Sequence, residues 1–223
     1  YLEKRFGCRA YLQNDANACA VAEWKYGAGK GLNNVVFLTF GTGLGAGLIL
    51  DGKLYSGATD TAGEVGHIRL GEYGPVGFGK SGSFEGFCSG GGIANLGRIY
   101  AQEAFQSGKC LSYCKNAEYM PKINAKEIAE LAQGGDADAK RVFDECGKKL
   151  GMGLSIIIDI LNPDAIILGS IYLRCENLLK DAALSVIERE ALLQPRTACK
   201  IVSAGLGEKL GDYAALSIAA MNL

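Results

Sequence analysis

The chain has 223 residues, with 23 Lys and Arg against 24 Asp and Glu, for a net charge of −1. That length gives one large domain or one and a half small ones with a buried core, while mixed charges without a basic stripe exclude a nucleic-acid surface and no apolar run reaches the ~18 residues of a membrane span. Eight cysteines without C-x-x-C pairing fit reduced thiols and a cytoplasmic setting better than a disulfide framework.

From the N-terminus, residues 2–7 read as a helix tail stopped by Gly7, and residues 8–12 as a short strand. Asn14 follows as an N-cap, and residues 16–26 form an Ala-rich helix ending at Gly27-Ala28-Gly29. Asp15 therefore stands at a helix N-terminus. Two readings of it stay open: a capping residue, or a carboxylate placed to accept the proton of a substrate hydroxyl.

Residues 35–40 then run straight into Gly41-Thr42-Gly43, and residues 44–50 close on Asp51-Gly52, a strong hairpin-turn signal. Two strands thus meet at a glycine corner with Thr42 at its tip. Bare glycine lets a ligand reach the backbone, and successive N–H groups there can cradle an anion, with the Thr42 hydroxyl as an added donor. The corner reads as a phosphate loop or, more plainly, as a tight turn. Residues 41–46 spell G-x-G-x-x-A, but strand residues follow where a dinucleotide site needs a helix. No Gly-Lys-Ser/Thr follows either, which excludes a Walker A loop.

Beyond the hairpin, Gly63-Glu64-Val65-Gly66-His67 places a carboxylate and the sole histidine three residues apart in a loop. A solitary histidine is either a structural hydrogen-bonder or a functional group. The glycine-dense segment 71–92, with Pro75 and Glu85, is too long for a plain connection and reads as functional. It leads into a helix over 91–104. The remainder reads as scaffold: a helix over 125–133 capped by Asn124, and a long helix from Asp136 to Leu161 stopped by Asn162-Pro163. A buried strand over 165–168 turns at Gly169-Ser170, followed by a helix over 174–191, a strand over 200–203 and a last helix over 212–221. This alternation makes the chain α/β.

Asn14-Asp15-Ala16-Asn17, the stretch LTFGTGLGAG over 38–47, Gly63 to His67, and NPDAIILG over 162–169 together resemble the ROK family of sugar kinases and sugar-responsive repressors. The resemblance runs along essentially the whole chain. It implies an actin/hexokinase-like (ribonuclease H-like) ATPase fold, two α/β lobes with ATP and sugar in the cleft between them. Residues 1–30 would be a remnant of the N-terminal lobe, ending in the helix of the catalytic Asp. Residues 31–223 would form the C-terminal lobe, whose last helix returns toward the first lobe.

By the same resemblance, Asp15 would be the general base, and Asn14, Asp15, Glu64, His67 and Glu85 would hold sugar hydroxyls. Gly41, Thr42 and Gly43 would face the phosphates of ATP, which comes with Mg2+, and Gly169 would lie at the nucleotide. The glucokinase-like members phosphorylate a hexose or N-acetylhexosamine; the alternative is a sugar-sensing repressor whose DNA-binding segment lies outside this chain. Homo-oligomers, dimers or tetramers, are implied as well.

Two departures stand out. Zinc-bearing relatives carry C-x-C-G-x-x-G-C-x-E after the histidine; aligned on Glu85, this chain has Val76, Phe78 and Ser83 at the cysteine positions. One histidine without thiolates does not make a four-ligand soft site, so no structural zinc is expected, Phe78, Phe84 and Phe87 would pack the loop, and His67 is freed for sugar. Kinase relatives also begin with a D-x-G-G-T hairpin that supplies a second phosphate loop. Nothing before Asn14 has that form, so half of the phosphate clamp is expected to be missing from this chain.

Overall fold

In the computed structural model, which describes residues 1–221, the chain is built around a mixed five-stranded sheet. In chain order the elements are α1 (Leu2–Phe6), α2 (Asp15–Tyr26), β1 (Val35–Phe40), β2 (Leu44–Leu50), β3 (Lys53–Tyr55), the hairpin β4 (Val76–Gly77) and β5 (Lys80–Ser81), and α3 (Phe84–Phe87). There follow α4 (Gly90–Gln106), α5 (Ala125–Gln133), α6 (Ala137–Leu161), β6 (Ala165–Leu168), α7 (Ile171–Glu190), α8 (Leu193–Ala198), β7 (Lys200–Ser203) and α9 (Leu210–Met221).

The strand order is β3-β2-β1-β6-β7. β1, β2 and β3 form an antiparallel meander, and β6 and β7 add to it parallel to β1. β1 is apolar throughout except at Thr39 because helices cover both faces of the sheet. Its alternate residues divide accordingly. Val36, Leu38 and Phe40 join the larger core with Leu96, Phe143, Leu150 and Leu154 of α4 and α6. Val35 and Phe37 face the other way, onto Ala20, Val21 and Ile218 of α2 and α9. The Asp51-Gly52 turn has φ of 50° and 70°, the left-handed pair that a two-residue hairpin demands.

One contact sets where the functional end of α2 lies. The helix crosses β2 so closely that a Cβ on Gly47 would collide with the Ala16 carbonyl oxygen. Only a glycine lets the first turn of α2 come down onto the strand beside the glycine corner. Along its length α2 also packs on α9.

Three expectations need correction. Residues 8–12 form no strand; they run exposed, and the Ala10 N–H donates to the Glu3 carboxylate at 3.1 Å instead of to a neighbouring strand. The helix expected over 174–191 starts earlier, at Ile171, and is broken at Cys175 (φ −126°, ψ 19°). The Gln133 amide donates to the Arg174 carbonyl at that break, a tertiary contact that no local pattern announces. The short helix α8 was not anticipated; its Pro195 sits in the first turn, where a missing N–H costs nothing.

No helix among the described residues is long and apolar enough to cross a membrane.

Candidate functional site

A cleft of about 570 Å3 opens where the N-terminus of α2, the β1–β2 corner and the loop after β3 converge. Its walls include Asn14, Asp15, Thr39, Gly41, Thr42, Gly43, Glu64 and Glu85. Seven of the residues singled out for sugar or phosphate contact, from four separate stretches of chain, share it.

At its α2 end the division of labour is clear. Asn14 is the N-cap, its side-chain oxygen accepting from the Asn17 N–H at 3.2 Å. Asp15 is the first helical residue; its Oδ1 accepts from the Ala16 N–H at 2.8 Å, and the side chain is otherwise exposed to the cleft. The cap is thus already supplied, and the Asp15 carboxylate stands at the positive end of the helix.

The glycine corner is closed by a hydrogen bond from the Gly41 N–H to the Gly43 carbonyl at 3.0 Å. From behind, the Gly90 N–H at the start of α4 donates to the Gly41 carbonyl at 2.8 Å. The Leu44 N–H donates to the Glu85 carboxylate at 3.0 Å. Among the described residues, the N–H groups of Thr42 and Gly43 meet no protein acceptor, so two adjacent donors remain at the tip. A Cβ on Gly41 would come no nearer than 3.7 Å to Ser170 Oγ, and one on Gly45 no nearer than 3.9 Å to Ala16. Neither has a left-handed φ. Packing does not demand glycine at either position, and both lie bare on the cleft wall.

Glu64 is brought in by a different device. The Ala46 N–H donates to the Gly63 carbonyl at 2.8 Å, and a Cβ on Gly63 (φ 93°) would collide with the Ala46 carbonyl oxygen. The loop is therefore pressed onto β2, and Glu64 projects from it into the cleft.

Two of the expected residues are not on the cleft wall. His67 ends a short 3-10 turn, exposed, with its ring edge-on to Phe78 at 6.3 Å, and its carbonyl accepts from Lys80 at 2.7 Å. Gly169 is buried, donating its N–H to the Leu38 carbonyl at 3.0 Å; Ser170, at φ 53°, reaches the cleft in its place.

Cys19, Thr39, Asp60, Ser170 and Leu210 line the cleft without having been anticipated. Thr39 was detectable as the one polar residue of an apolar strand, and Cys19 as the residue one turn after Asp15 on the same helix face. Asp60 and Leu210 carried no local signal. The Cys19 thiol is pushed up to about 11, chiefly by burial and then by the charges of Asp15 and Glu23. It stays neutral beside the carboxylate.

The loop expected to be packed by three phenylalanines is held otherwise. Phe84 and Phe87 are core residues, but Phe78 is 89% exposed at the tip of the β4–β5 hairpin, with φ 44°. A two-residue turn leaves no inward side for that ring. Arg69 Nη1 donates to the Ser81 carbonyl at 2.7 Å, and Ser83 caps α3. Val76, Phe78 and Ser83 offer no thiolate, and among the described residues no group of three or more His, Cys, Asp and Glu gathers as a metal site would. The oxygen donors of the cleft do fit a hard cation that arrives with phosphates, since Mg2+ is usually held by one or two carboxylates plus the substrate. The cleft wall carries the carboxylates of Asp15, Asp60, Glu64 and Glu85.

A second cavity, of about 520 Å3, lies between α5 and α7, lined by Ala125, Ala129, Phe143, Ile171, Arg174 and Cys175. It flanks the first turn of α7, the helix whose cap, Ser170, lines the main cleft.

The sequence profile of the ROK family matches residues 1–221. The chain belongs to the ROK family. The glucokinase of Halalkalibacterium halodurans is 34% identical over 170 residues, which is 75% of this chain and 50% of the relative. Among solved structures, a ROK family glucokinase from Streptomyces griseus in complex with glucose and AMPPNP superposes with a TM-score of 0.80 at 30% identity, covering 98% of this chain and 71% of that one. A ROK family transcriptional regulator, a homologue of the E. coli MLC protein, superposes with a TM-score of 0.82 at 27% identity, covering 99% of this chain and 54% of that one. The chain thus spans about half the length of the first relative and of the regulator. Its mixed sheet and these ROK neighbours make the fold actin/hexokinase-like.

Proposed function

We propose that the chain is part of an ATP-dependent sugar kinase of the glucokinase-like kind, transferring the γ-phosphoryl group to a hydroxyl of a hexose or N-acetylhexosamine. One observation carries the reading: the Asp15 carboxylate and the bare glycine corner open into the same cleft. Asp15 accepts the proton of the sugar hydroxyl as its oxygen attacks in line. Glu64 and Glu85, on the wall facing α2, take sugar hydroxyls along with Asn14; His67 reaches the ring only from the rim. The free N–H groups of Thr42 and Gly43 take phosphate oxygens, and the nucleotide base extends past Ser170 toward the apolar cavity between α5 and α7. Bound with the nucleotide, Mg2+ supplies charge neutralisation on the phosphates. Catalysis of this kind is mostly positioning and charge stabilisation.

The similarity to a transcriptional regulator supports a second reading, a sugar-sensing regulator that uses the sugar contacts alone. Coupled ADP release over a panel of sugars separates the two, measured on this chain and on one extended to the length of its glucokinase relatives. Sugar-dependent ADP release supports the kinase. Saturable sugar binding with no ADP release in the extended chain rejects it in favour of the regulator.

A further inference from the structure

Glu23 is fully buried, and its charge is used by none of the chemistry above. Its carboxylate is nonetheless fully employed. Oε2 accepts from the Ala28 N–H at 2.9 Å and the Gly205 N–H at 3.0 Å, and Oε1 accepts from the Leu206 N–H at 2.9 Å. Two of the three donors lie more than 180 residues away in sequence, in the turn that leads from β7 into α9. A charged acceptor with three backbone donors is a strong, directional tie, because such bonds are about twice as strong as neutral ones.

The tie joins two pieces that both reach the cleft. Glu23 sits on α2 eight residues after Asp15, about 12 Å along the helix. The turn that Glu23 grips runs through Gly207 to Lys209 into Leu210, the first residue of α9 and a cleft-lining residue. We propose that Glu23 is a positioning residue: by clamping the Gly205–Leu206 turn to α2, it fixes the height of α2 along the sheet and hence the place of the Asp15 carboxylate. The close approach of α2 to Gly47 sets the helix's distance from the sheet, and the tie to the Gly205–Leu206 turn adds a directional restraint against sliding along it. Two charge-assisted hydrogen bonds from that turn oppose the slide. As a statement about phosphoryl transfer the inference rests on the kinase reading; as a statement about the position of Asp15 it does not.

The test uses Glu23→Gln, which keeps size and removes charge, and reads two quantities. The first needs no ligand. Amide hydrogen exchange at Asn17 and Ala18, in the first turn of α2 beside Asp15, is expected to speed up about tenfold together with that at Gly205 and Leu206, while α5 amides are unchanged. Acceleration confined to Ala28, Gly205 and Leu206 overturns the proposal. The second reading is kinetic: kcat falls about tenfold or more while KM for the sugar stays within about twofold, the signature of a misplaced base rather than a lost binding site. Unchanged kcat in a variant with accelerated Asn17 and Ala18 exchange overturns the catalytic part. If the chain extended to the length of its glucokinase relatives turns over no sugar with Glu23 in place, the kinase reading fails, and the positioning role is still decided by the exchange at Asn17 and Ala18. Should Glu23→Gln not fold, Leu206→Pro deletes one donor and keeps the carboxylate, the native φ of −86° being close to proline's range; faster exchange at Asn17, Ala18 and Gly205 with α5 amides unchanged is expected, and an unchanged rate at Asn17 and Ala18 overturns the proposal.

Discussion

The Leu44 N–H donates to the Glu85 carboxylate at 3.0 Å, joining the glycine corner to α3 across 41 residues of chain. The same carboxylate lies against Gly43, where a Cβ would come within 2.8 Å of Oε2. Glu85 thus holds the corner in shape from one side while its half-buried side chain lines the cleft. In the proposed kinase reading, a residue in that position couples the phosphate end of the site to the sugar end.

Removing that carboxylate is expected to loosen both ends. Glu85→Ala should cost about 1–2 kcal/mol of stability, the loss of a hydrogen bond to a charged acceptor, and lower Tm by a few degrees. It should also raise KM for ATP several-fold (~5 or more) along with that for sugar. Thermal denaturation and two substrate titrations check this; an unchanged KM for ATP would show that the Leu44 bond contributes nothing to nucleotide binding.

Asp15→Asn keeps the shape of the first turn of α2 and removes the proton acceptor. Turnover should fall by about 10²–10⁴, with sugar affinity within a few-fold of the parent. Single-turnover kinetics and calorimetric sugar binding, on this chain and on one extended to the length of its glucokinase relatives, are the measurements. Retained turnover would remove Asp15 from the mechanism.

The glycines divide into two classes that a paired mutagenesis distinguishes. Gly45→Ala meets only ordinary contact at 3.9 Å and should leave Tm within a few degrees while weakening ATP binding about tenfold or more. Gly63→Ala meets the Ala46 carbonyl and must adopt a left-handed φ, so it should destabilise the fold by about 2 kcal/mol or more. Equal effects of the two on stability would contradict the assignment of Gly45 to ligand access.

Cys19 gives a readout of the cleft that needs no activity. With its thiol pushed up to about 11, its thiolate fraction near pH 8 is about 100-fold below that of a thiol at 9.0. The exposed Cys8 and Cys110 should therefore alkylate first. Burial is the main cause and the Asp15 charge the next, so Asp15→Asn lowers the thiol pKa and should accelerate Cys19 alkylation at fixed pH. Mass spectrometry of iodoacetamide-treated protein measures the rates; identical Cys19 rates in parent and variant would place Asp15 away from Cys19.

Much of this was legible in the sequence because it was local. Asn14 and Asp136 announce helix starts by their own capping oxygens, Asp51-Gly52 forces a hairpin by its backbone preference, and an apolar run with glycines at its end specifies a buried strand and a bare corner. What the linear pattern does not contain is the set of contacts between distant stretches. The Gly47 approach brings Asp15 over β2, the Gly63 approach turns Glu64 inward, and Ser170 reaches the cleft while Gly169 stays buried with its N–H on the Leu38 carbonyl. Capping and turn preferences are energies of a few neighbouring residues, which composition and spacing reveal. Which side chains share a cleft depends on steric fit between elements far apart in the chain, and only the packed sheet and helices decide that.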